Sequence, residues 1–292
     1  MKPCDFQYYA PRTVKEAIHL ASTLENAKLL AGGQTLLPMM NFRFAQPEHV
    51  IDLNTVVELQ GIHLTGASLQ IGAMARQRDI QRSALARASA PLIPEAYSFV
   101  SHPQIRNRGT LGGSLCHLDP ASEQPCFLAA QGANLQVQGL KGTRTVSIDE
   151  WTLGYMTPNL EADEVLTRID CDLWPPGHGW SFTEFARRQG DYAIVGVAAL
   201  ATCDARRNVS QIAVALCGLA AGPVRLRDFE TSAVGQAADE ALVEQAASAA
   251  SAVEAMADAH VSSDYRQHLA GVLAARAIRT AFSRMTHGAS AS

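Results

Sequence analysis

The feature that most constrains the fold is an interruption of the chain at residues 174–179, Trp-Pro-Pro-Gly-His-Gly. Proline and glycine at this density end both helices and strands, so the cluster marks a boundary between two structural parts. We therefore predict one part over residues 1–175 and a second over 176–286, followed by a tail, 287–292. Short helical and strand patterns divide the first part again, into subdomains of about 1–60 and 61–175.

The first part alternates between helical and extended patterns. Thr13 is a plausible N-cap for a helix to residue 24, with Glu16 completing a capping box. Residues 28–31 and 49–53 have the composition of strands. Residues 76–88 favour a helix, whereas 101–118 favour a loop. Asp119-Pro120 predicts the start of another helix, with Asp119 as N-cap, which would end at Gly132.

The second part has a simpler pattern. Two apolar segments, 192–203 and 209–217, flank the polar residues 204–208, which is the signature of a β-hairpin. Two helical segments follow, at about 237–259 and 264–285. A few strands covered by helices make this part an α+β domain.

Composition and charge exclude several classes of protein. Hydrophobic residues form 47% of the 292, enough for a sizeable core, and the net charge of -4 argues against a nucleic-acid partner. The N-terminus lacks the apolar stretch of a secretory signal, and the most apolar windows are too short for a membrane span, which predicts a cytoplasmic protein. The six cysteines form no C-x-x-C pair and predict buried thiols and no metal site.

Two short segments carry adjacent glycines: residues 30–35, Leu-Ala-Gly-Gly-Gln-Thr, and residues 109–114, Gly-Thr-Leu-Gly-Gly-Ser. Glycine lets backbone N–H groups converge in a turn, and converging N–H groups bind anions. Two facing loops of this kind could hold the diphosphate of a dinucleotide. Neither is a G-x-G-x-x-G or P-loop motif, and tight turns without a ligand are the alternative interpretation.

The order of motifs along the chain resembles a known family. Residues 30–38, 102–114, 119–121 and 190–193 stand in the order and composition of its motifs, and residues 265–277 are similar to its C-terminal helix. This family is the FAD-binding medium subunit of the xanthine dehydrogenase and carbon monoxide dehydrogenase (molybdenum hydroxylase) family. The resemblance implies an α+β fold, with a two-subdomain PCMH-type FAD-binding domain followed by a smaller α+β flavoprotein C-terminal domain.

The resemblance also implies a set of cofactor-binding residues. The two glycine loops would hold the FAD diphosphate, and apolar residues, an acidic residue and an aromatic residue would contact the rest of the cofactor. Tyr192 would lie against the isoalloxazine and control access of the electron acceptor. The implied residues are Leu30, Ala31, Gly32, Gly33, Gln34, Thr35, Leu36, Val100, Thr110, Gly113, Ser114, His117, Glu123, Leu160, Leu166 and Tyr192.

The implied activity is electron transfer within a larger oxidoreductase. A small partner subunit would carry [2Fe-2S] clusters and a large one the molybdopterin cofactor and the hydroxylated substrate. The flavin would pass electrons to NAD⁺, oxygen, a quinone or another carrier. A self-sufficient FAD-dependent oxidoreductase of the same fold is the alternative, and a non-enzymic binding module is a third. For individual residues, ordinary core packing (Val100, Leu160, Leu166) or loop hydrogen bonding (His117) remains open.

Overall fold

The computed structural model describes residues 1–286, so the predicted tail lies outside the described residues. The chain begins with a three-stranded parallel sheet and two helices. These elements are β1 (Gln7–Tyr9), α1 (Val14–Thr23), β2 (Ala27–Leu30), α2 (Leu36–Asn41) and β3 (His49–Asp52). The strand order is β1-β3-β2. Thr13 caps α1 as predicted, accepting from the Glu16 amide at 3.1 Å, but the Glu16 carboxylate accepts from the Arg12 amide and so does not close a capping box.

A second, five-stranded antiparallel sheet follows, with a small separate hairpin. The strands are β4 (Ile62–Thr65), β5 (Ser68–Gly72), β6 (Asn134–Gly139), β7 (Gly142–Ser147), β8 (Thr152–Gly154), β9 (Thr157–Pro158) and β10 (Val165–Asp172). The sheet has the order β4-β5-β10-β6-β7, and β8 pairs only with β9. The predicted pairing of β6 with β7 is confirmed.

Six helices lie between β5 and β6 in sequence. They are α3 (Gln77–Arg82), α4 (Ala84–Ser89), α5 (Leu92–Ala96), α6 (Pro103–Arg106), α7 (Leu111–His117) and α8 (Glu123–Gln131). Two sequence predictions were wrong here. The helix expected over 76–88 is split at Ser83, whose hydroxyl caps α4, and the segment expected to be a loop contains α6 and α7.

The start of α8 also differs from the prediction. Asp119 does not cap the helix, because its carboxylate accepts from the Ala121 amide at 2.9 Å in a local turn. Ser122 occupies the N-cap position instead, and the helix ends at Gly132 as predicted. All residues of α8 are buried, since the helix packs against both the five-stranded sheet and the following domain.

The last part of the chain is a four-stranded antiparallel sheet covered by helices. Its elements are β11 (Gly179–Phe185), β12 (Val195–Cys203), β13 (Val209–Cys217), β14 (Val224–Arg225), α9 (Arg227–Ala233), α10 (Glu240–Ser251) and α11 (Ser263–Arg284). The predicted hairpin is confirmed as β12 and β13, although β12 begins at Val195 and leaves Tyr192 in the preceding loop. The α+β fold class predicted from the sequence is therefore confirmed.

Among the contacts that join the two parts of the chain, one partly buried cluster centres on Glu95. The carboxylate of Glu95 on α5 accepts from the Trp180 indole at 3.1 Å, the Phe182 amide at 3.0 Å and the Arg284 guanidinium at 2.6 Å. Arg284 also lies over the Trp180 ring. The first strand and the last helix of the C-terminal part, β11 and α11, are thereby tied to α5 of the first part through the Glu95 side chain. None of the helices within residues 1–286 is long and apolar enough to cross a bilayer.

Candidate functional site

The first glycine loop, residues 31–35, leaves β2 and leads into α2. Its carbonyls are used within the protein: those of Ala31 and Gly32 accept from the Asn54 and Gln34 side chains at 3.0 and 3.1 Å. Gly33 has a φ of +71°, a backbone conformation that strains residues with a Cβ. The turn is therefore held through its carbonyl oxygens.

The amides of the first glycine loop are open. Within residues 1–286, the backbone N–H groups of Gly32, Gly33, Gln34 and Thr35 have no hydrogen-bond acceptor. Successive N–H groups without partners form a concave site for an anion, as the sequence predicted. The Thr35 hydroxyl makes no capping bond to α2, so it too can donate to a bound anion.

The second glycine loop, residues 109–114, differs from the expectation. Its Gly112 amide donates to the Ala73 carbonyl at 2.8 Å, and its Gly113 amide to the Thr110 hydroxyl at 3.0 Å. The expectation of open amides is therefore wrong for this loop, because Thr110 caps the short helix α7 and the segment after β5 accepts from the turn. The loop supplies a closely packed wall rather than a second row of donors.

The two glycine loops touch each other. A Cβ built on Gly113 would lie 3.2 Å from the Ala31 Cβ, and one built on Gly32 would lie 2.4 Å from the Arg108 carbonyl oxygen. No side chain fits at Gly32 without moving one loop away from the other. The glycines thus allow a close approach of two backbones, a role that the sequence analysis did not consider.

Beside the loops lies a cleft with a volume of about 250 Å³. It is formed by the first glycine loop, α3, the ends of α5 and α7, the start of α8 and the loop before β12. Its lining residues are Gln34, Gln77, Val100, Ser101, Ser114, His117, Asp119, Ser122, Glu123, Gln124, Gly190, Asp191 and Tyr192. Six of the residues implied by the resemblance therefore meet in one cavity: Gln34, Val100, Ser114, His117, Glu123 and Tyr192.

Other implied residues lie outside this cleft. Leu30 ends β2 with its side chain against Gly33, and Leu36 begins α2. Leu166 is buried in the core of the five-stranded sheet, and Leu160 packs against the same core. Neither Leu160 nor Leu166 is among the described residues that line the cleft, so the structure places both where their alternative interpretation did.

Two buried carboxyl groups lie near the cleft. Glu123 is only 4% exposed, and burial, reinforced by the charge of Asp119, raises its pKa to about 7. Burial and the charge of Glu123 raise the pKa of Glu184 on β11 to about 8, and its Oε2 has no hydrogen-bond partner within residues 1–286. At neutral pH this pair of carboxyls therefore carries less than two negative charges.

Tyr192 stands at the mouth of the cleft. Tyr192 is 56% exposed, and desolvation together with the charges of Asp119 and Glu123 raises its pKa to about 12. The phenol thus stays protonated. Gly190, two residues earlier, has a φ of +85°, and a Cβ there would lie 2.4 Å from the His102 ring. The loop that carries Tyr192 is thereby seated on the loop before α6.

A serine and a histidine from α7 complete the wall. The hydroxyls of Ser114 and Ser122 are 3.0 Å apart, and Ser122 donates to the Gln124 Oε1 at 2.6 Å. Ser114 is therefore the donor to Ser122. Burial lowers the pKa of His117, with Asp119 opposing the shift, so the imidazole is neutral at neutral pH.

Sequence reasoning missed Gln77, the first residue of α3. It lines the cleft, is only 5% exposed, and its Oε1 has no partner within the described chain. Its amide donates to the Gly109 carbonyl at 2.9 Å, which brings it beside the second glycine loop. No sequence signal marks it, since a glutamine at a helix start is unremarkable. The same residues, 1–286, contain no group of three or more side chains placed to bind a metal.

Comparison with known proteins gives this geometry a family. Residues 4–171 match the model of the FAD binding domain in molybdopterin dehydrogenase, and residues 180–281 match the CO dehydrogenase flavoprotein C-terminal domain. The carbon monoxide dehydrogenase medium chain of Hydrogenophaga pseudoflava is 38% identical over 97% of this chain and 99% of its own length. The nicotine 6-hydroxylase medium subunit of Paenarthrobacter nicotinovorans is also 38% identical, over 97% of this chain and all of the relative.

Solved structures agree. A carbon monoxide dehydrogenase chain from Hydrogenophaga pseudoflava superposes with a TM-score of 0.95 at 39% identity, covering 98% of this chain and 100% of that one. Quinoline 2-oxidoreductase from Pseudomonas putida 86 gives 0.92 at 34% identity, covering 97% and 99%. Relatives of this kind are subunits of oxidoreductases, and the agreement extends over both parts of the fold. The chain belongs to the FAD-binding medium-subunit family of the molybdopterin dehydrogenases.

Proposed function

We propose that this chain is the FAD-carrying electron-transfer subunit of a molybdenum hydroxylase. It takes electrons from [2Fe-2S] clusters on a small partner subunit and passes them to an external acceptor. The substrate is hydroxylated on a large subunit that carries the molybdopterin cofactor. The names of the relatives, which are medium chains or subunits of dehydrogenases and hydroxylases, support an assembly of this kind.

The observation that carries the proposal is the run of open amides from Gly32 to Thr35. A diphosphate offers several anionic oxygens and no donors, so it complements a turn that presents only donors. The second glycine loop adds no amides but confines the ligand from the other side, because Gly113 lies against Ala31. We assign the FAD diphosphate to Ala31, Gly32, Gly33, Gln34 and Thr35, with Thr110, Gly113 and Ser114 as the opposing wall.

The cleft beside the loops would hold a further part of FAD. It continues from the glycine loops past Val100 and Ser101 to Tyr192, so a ligand held at the loops extends along it. The side-chain oxygen Oε1 of Gln77 is buried at its wall without a partner within residues 1–286 and is suited to accept a hydrogen bond from the ligand. We place Val100 and Tyr192 at the isoalloxazine and Glu123 at another polar group of the cofactor. Leu30 and Leu36 support the first loop from either end.

The residues of the chain bind the cofactor, orient it and shield it from solvent. Bound FAD supplies the chemistry, because a flavin accepts and releases electrons singly or in pairs. The Tyr192 phenol, protonated at neutral pH, covers the mouth of the cleft and controls how closely an acceptor approaches. Partial protonation of Glu123 and Glu184 limits the negative charge beside a cofactor whose diphosphate is already anionic.

A single purification tests the proposal against its alternatives. The full-length chain would be tagged and isolated from its native host, and flavin, iron and molybdenum would be measured together. The proposal expects one FAD per chain, with partner polypeptides that contain iron and molybdenum. A lone chain with FAD and its own substrate turnover would instead indicate a self-sufficient flavoenzyme. A chain that stays colourless after incubation with FAD would indicate a binding module.

A further inference from the structure

One arginine connects the two glycine loops. Arg76 lies between β5 and α3, and its side chain reaches away from α3 towards both loops. One guanidinium nitrogen donates to the Arg108 carbonyl, which directly precedes the second glycine loop, and another donates to the Asn54 side-chain oxygen. The Arg108 carbonyl is the atom that Gly32 approaches most closely. Arg76 therefore holds the backbone against which the first loop rests.

Asn54 links Arg76 to the first glycine loop. Its side-chain nitrogen donates to the Ala31 carbonyl at 3.0 Å, while its side-chain oxygen accepts from Arg76. The Asp52 carboxylate accepts from the Asn54 backbone N–H at 2.9 Å and also from its side-chain nitrogen, which keeps the side chain in place. A continuous chain of hydrogen bonds thus runs from the first loop through Asn54 and Arg76 to the second.

Few acidic side chains lie near the positive charge of Arg76. Burial and the neighbouring Arg108 lower the pKa of its guanidinium, whereas Asp79 and Asp52 oppose that shift, and an arginine stays protonated under all these influences. A partly buried cation bonded to the neighbours of both loops makes their surroundings more positive. Lysine could supply the charge, but it lacks the planar fork that bonds two acceptors at once.

We propose that Arg76 is a positioning residue which, acting through Asn54, fixes the separation of the two glycine loops and thereby the affinity for a diphosphate ligand. This inference rests on the proposed FAD site and adds a residue that does not itself line the cleft. Loss of the hydrogen bonds of Arg76 would let the two loops move apart. The flavin end of the cleft, formed by Val100 and Tyr192, would keep its shape.

The test measures binding of FAD and of ADP to the full chain freed of flavin. We expect Arg76→Met and Asn54→Ala each to weaken both ligands about 10- to 100-fold, as loss of a charge-assisted hydrogen bond predicts. The double variant should bind no more weakly than the weaker single variant, because both break the same chain of contacts. Arg76→Lys should recover little. Arg78→Met is the matched control, since Arg78 is exposed and, within residues 1–286, its guanidinium hydrogen-bonds to Asp79 and Asn107 alone.

The outcomes separate this inference from the proposed function. If the wild type binds neither FAD nor ADP, the proposed function fails. If it binds both and Arg76→Met or Arg76→Lys binds equally well, the positioning role is overturned. Additive losses in the double variant would also overturn it. At saturating FAD the visible circular dichroism of the flavin bound to each variant should match that of the wild type. A changed spectrum would show that the substitution disturbs the whole flavin site and not only the separation of the loops.

Discussion

Gly32 and Arg108 approach each other so closely that a Cβ on the glycine would lie 2.4 Å from the arginine's carbonyl oxygen. Because backbone cannot yield as a flexible side chain can, Gly32→Ala should separate the glycine loops. We expect FAD affinity to fall at least about tenfold, with little change in thermal stability, as measured by flavin titration. Gly154→Ala is the control, since its Cβ would meet nothing closer than 3.9 Å. If Gly32→Ala bound FAD normally, the glycine loops would not be part of the FAD-binding site.

Tyr192 is expected to act on the acceptor more than on the cofactor. It is the exposed aromatic at the mouth of the cleft, and its loop is held by Gly190 over His102. In the isolated complex, Tyr192→Ala should change the rate of flavin reoxidation by acceptors about tenfold or more while FAD content stays near the wild type. Tyr155→Ala, at an exposed tyrosine on another hairpin, should change neither. Equal losses of FAD and acceptor activity would contradict gating.

The two buried carboxyls should make stability depend on pH. The pKa values of Glu123 and Glu184 are raised in the folded chain, to about 7 and about 8, from 4.5. The folded state therefore binds more protons than the unfolded one, so their stabilising contribution is complete below pH 4.5 and is lost as pH rises through 7 and 8. We expect the free energy of unfolding to fall by on the order of 2 kcal/mol between pH 6 and 9.

Glu184→Gln should remove much of that pH dependence. Urea unfolding of the flavin-free protein at several pH values would measure the difference between variant and wild type, which cancels histidines that titrate with the opposite sign at lower pH. Glu240→Gln is the control, because its pKa is lowered by Arg279 and its contribution changes only in acid. An identical pH profile in Glu184→Gln and wild type would rule out a contribution from this carboxyl.

The Glu95 carboxylate should be a main determinant of how the two parts of the chain are held together. Glu95→Ala leaves the Trp180 indole, the Phe182 amide and the Arg284 guanidinium without their shared acceptor. We expect a loss of about 2–3 kcal/mol in urea unfolding, whereas Glu240→Ala, at the exposed and solvent-screened pair with Arg279, should change the free energy of unfolding much less. Equal effects of the two substitutions would show that the contact is dispensable.

The sequence predicted the features that depend on local chemistry. The Thr13 cap, the Gly132 helix end and the hairpin of β12 and β13 each follow from a few neighbouring residues, and each is confirmed. The helix start at Asp119 was wrong because an aspartate can cap a helix or close a turn, and its surroundings decide between them. The limits of the predicted domains, near residue 175, remain predictions.

The site could be predicted only where motifs marked it. The glycine loops and Tyr192 stand in recognisable segments, whereas Gln77 and Arg76 reach the site because β5 ends beside the second loop. That pairing joins residues far apart in the chain, and no spacing reveals it. The amides of Gly112 and Gly113 could not be judged from sequence either, since their acceptors, Ala73 and Thr110, are set by the folded contact.

The cleft draws its walls from both parts of the chain. The glycine loops belong to the first part, but Gly190, Asp191 and Tyr192 reach the cleft from the segment between β11 and β12. A shift of the C-terminal sheet would therefore move Tyr192 relative to the first glycine loop. A partner that binds that sheet would thus change how open the Tyr192 end of the cleft is without contacting either glycine loop.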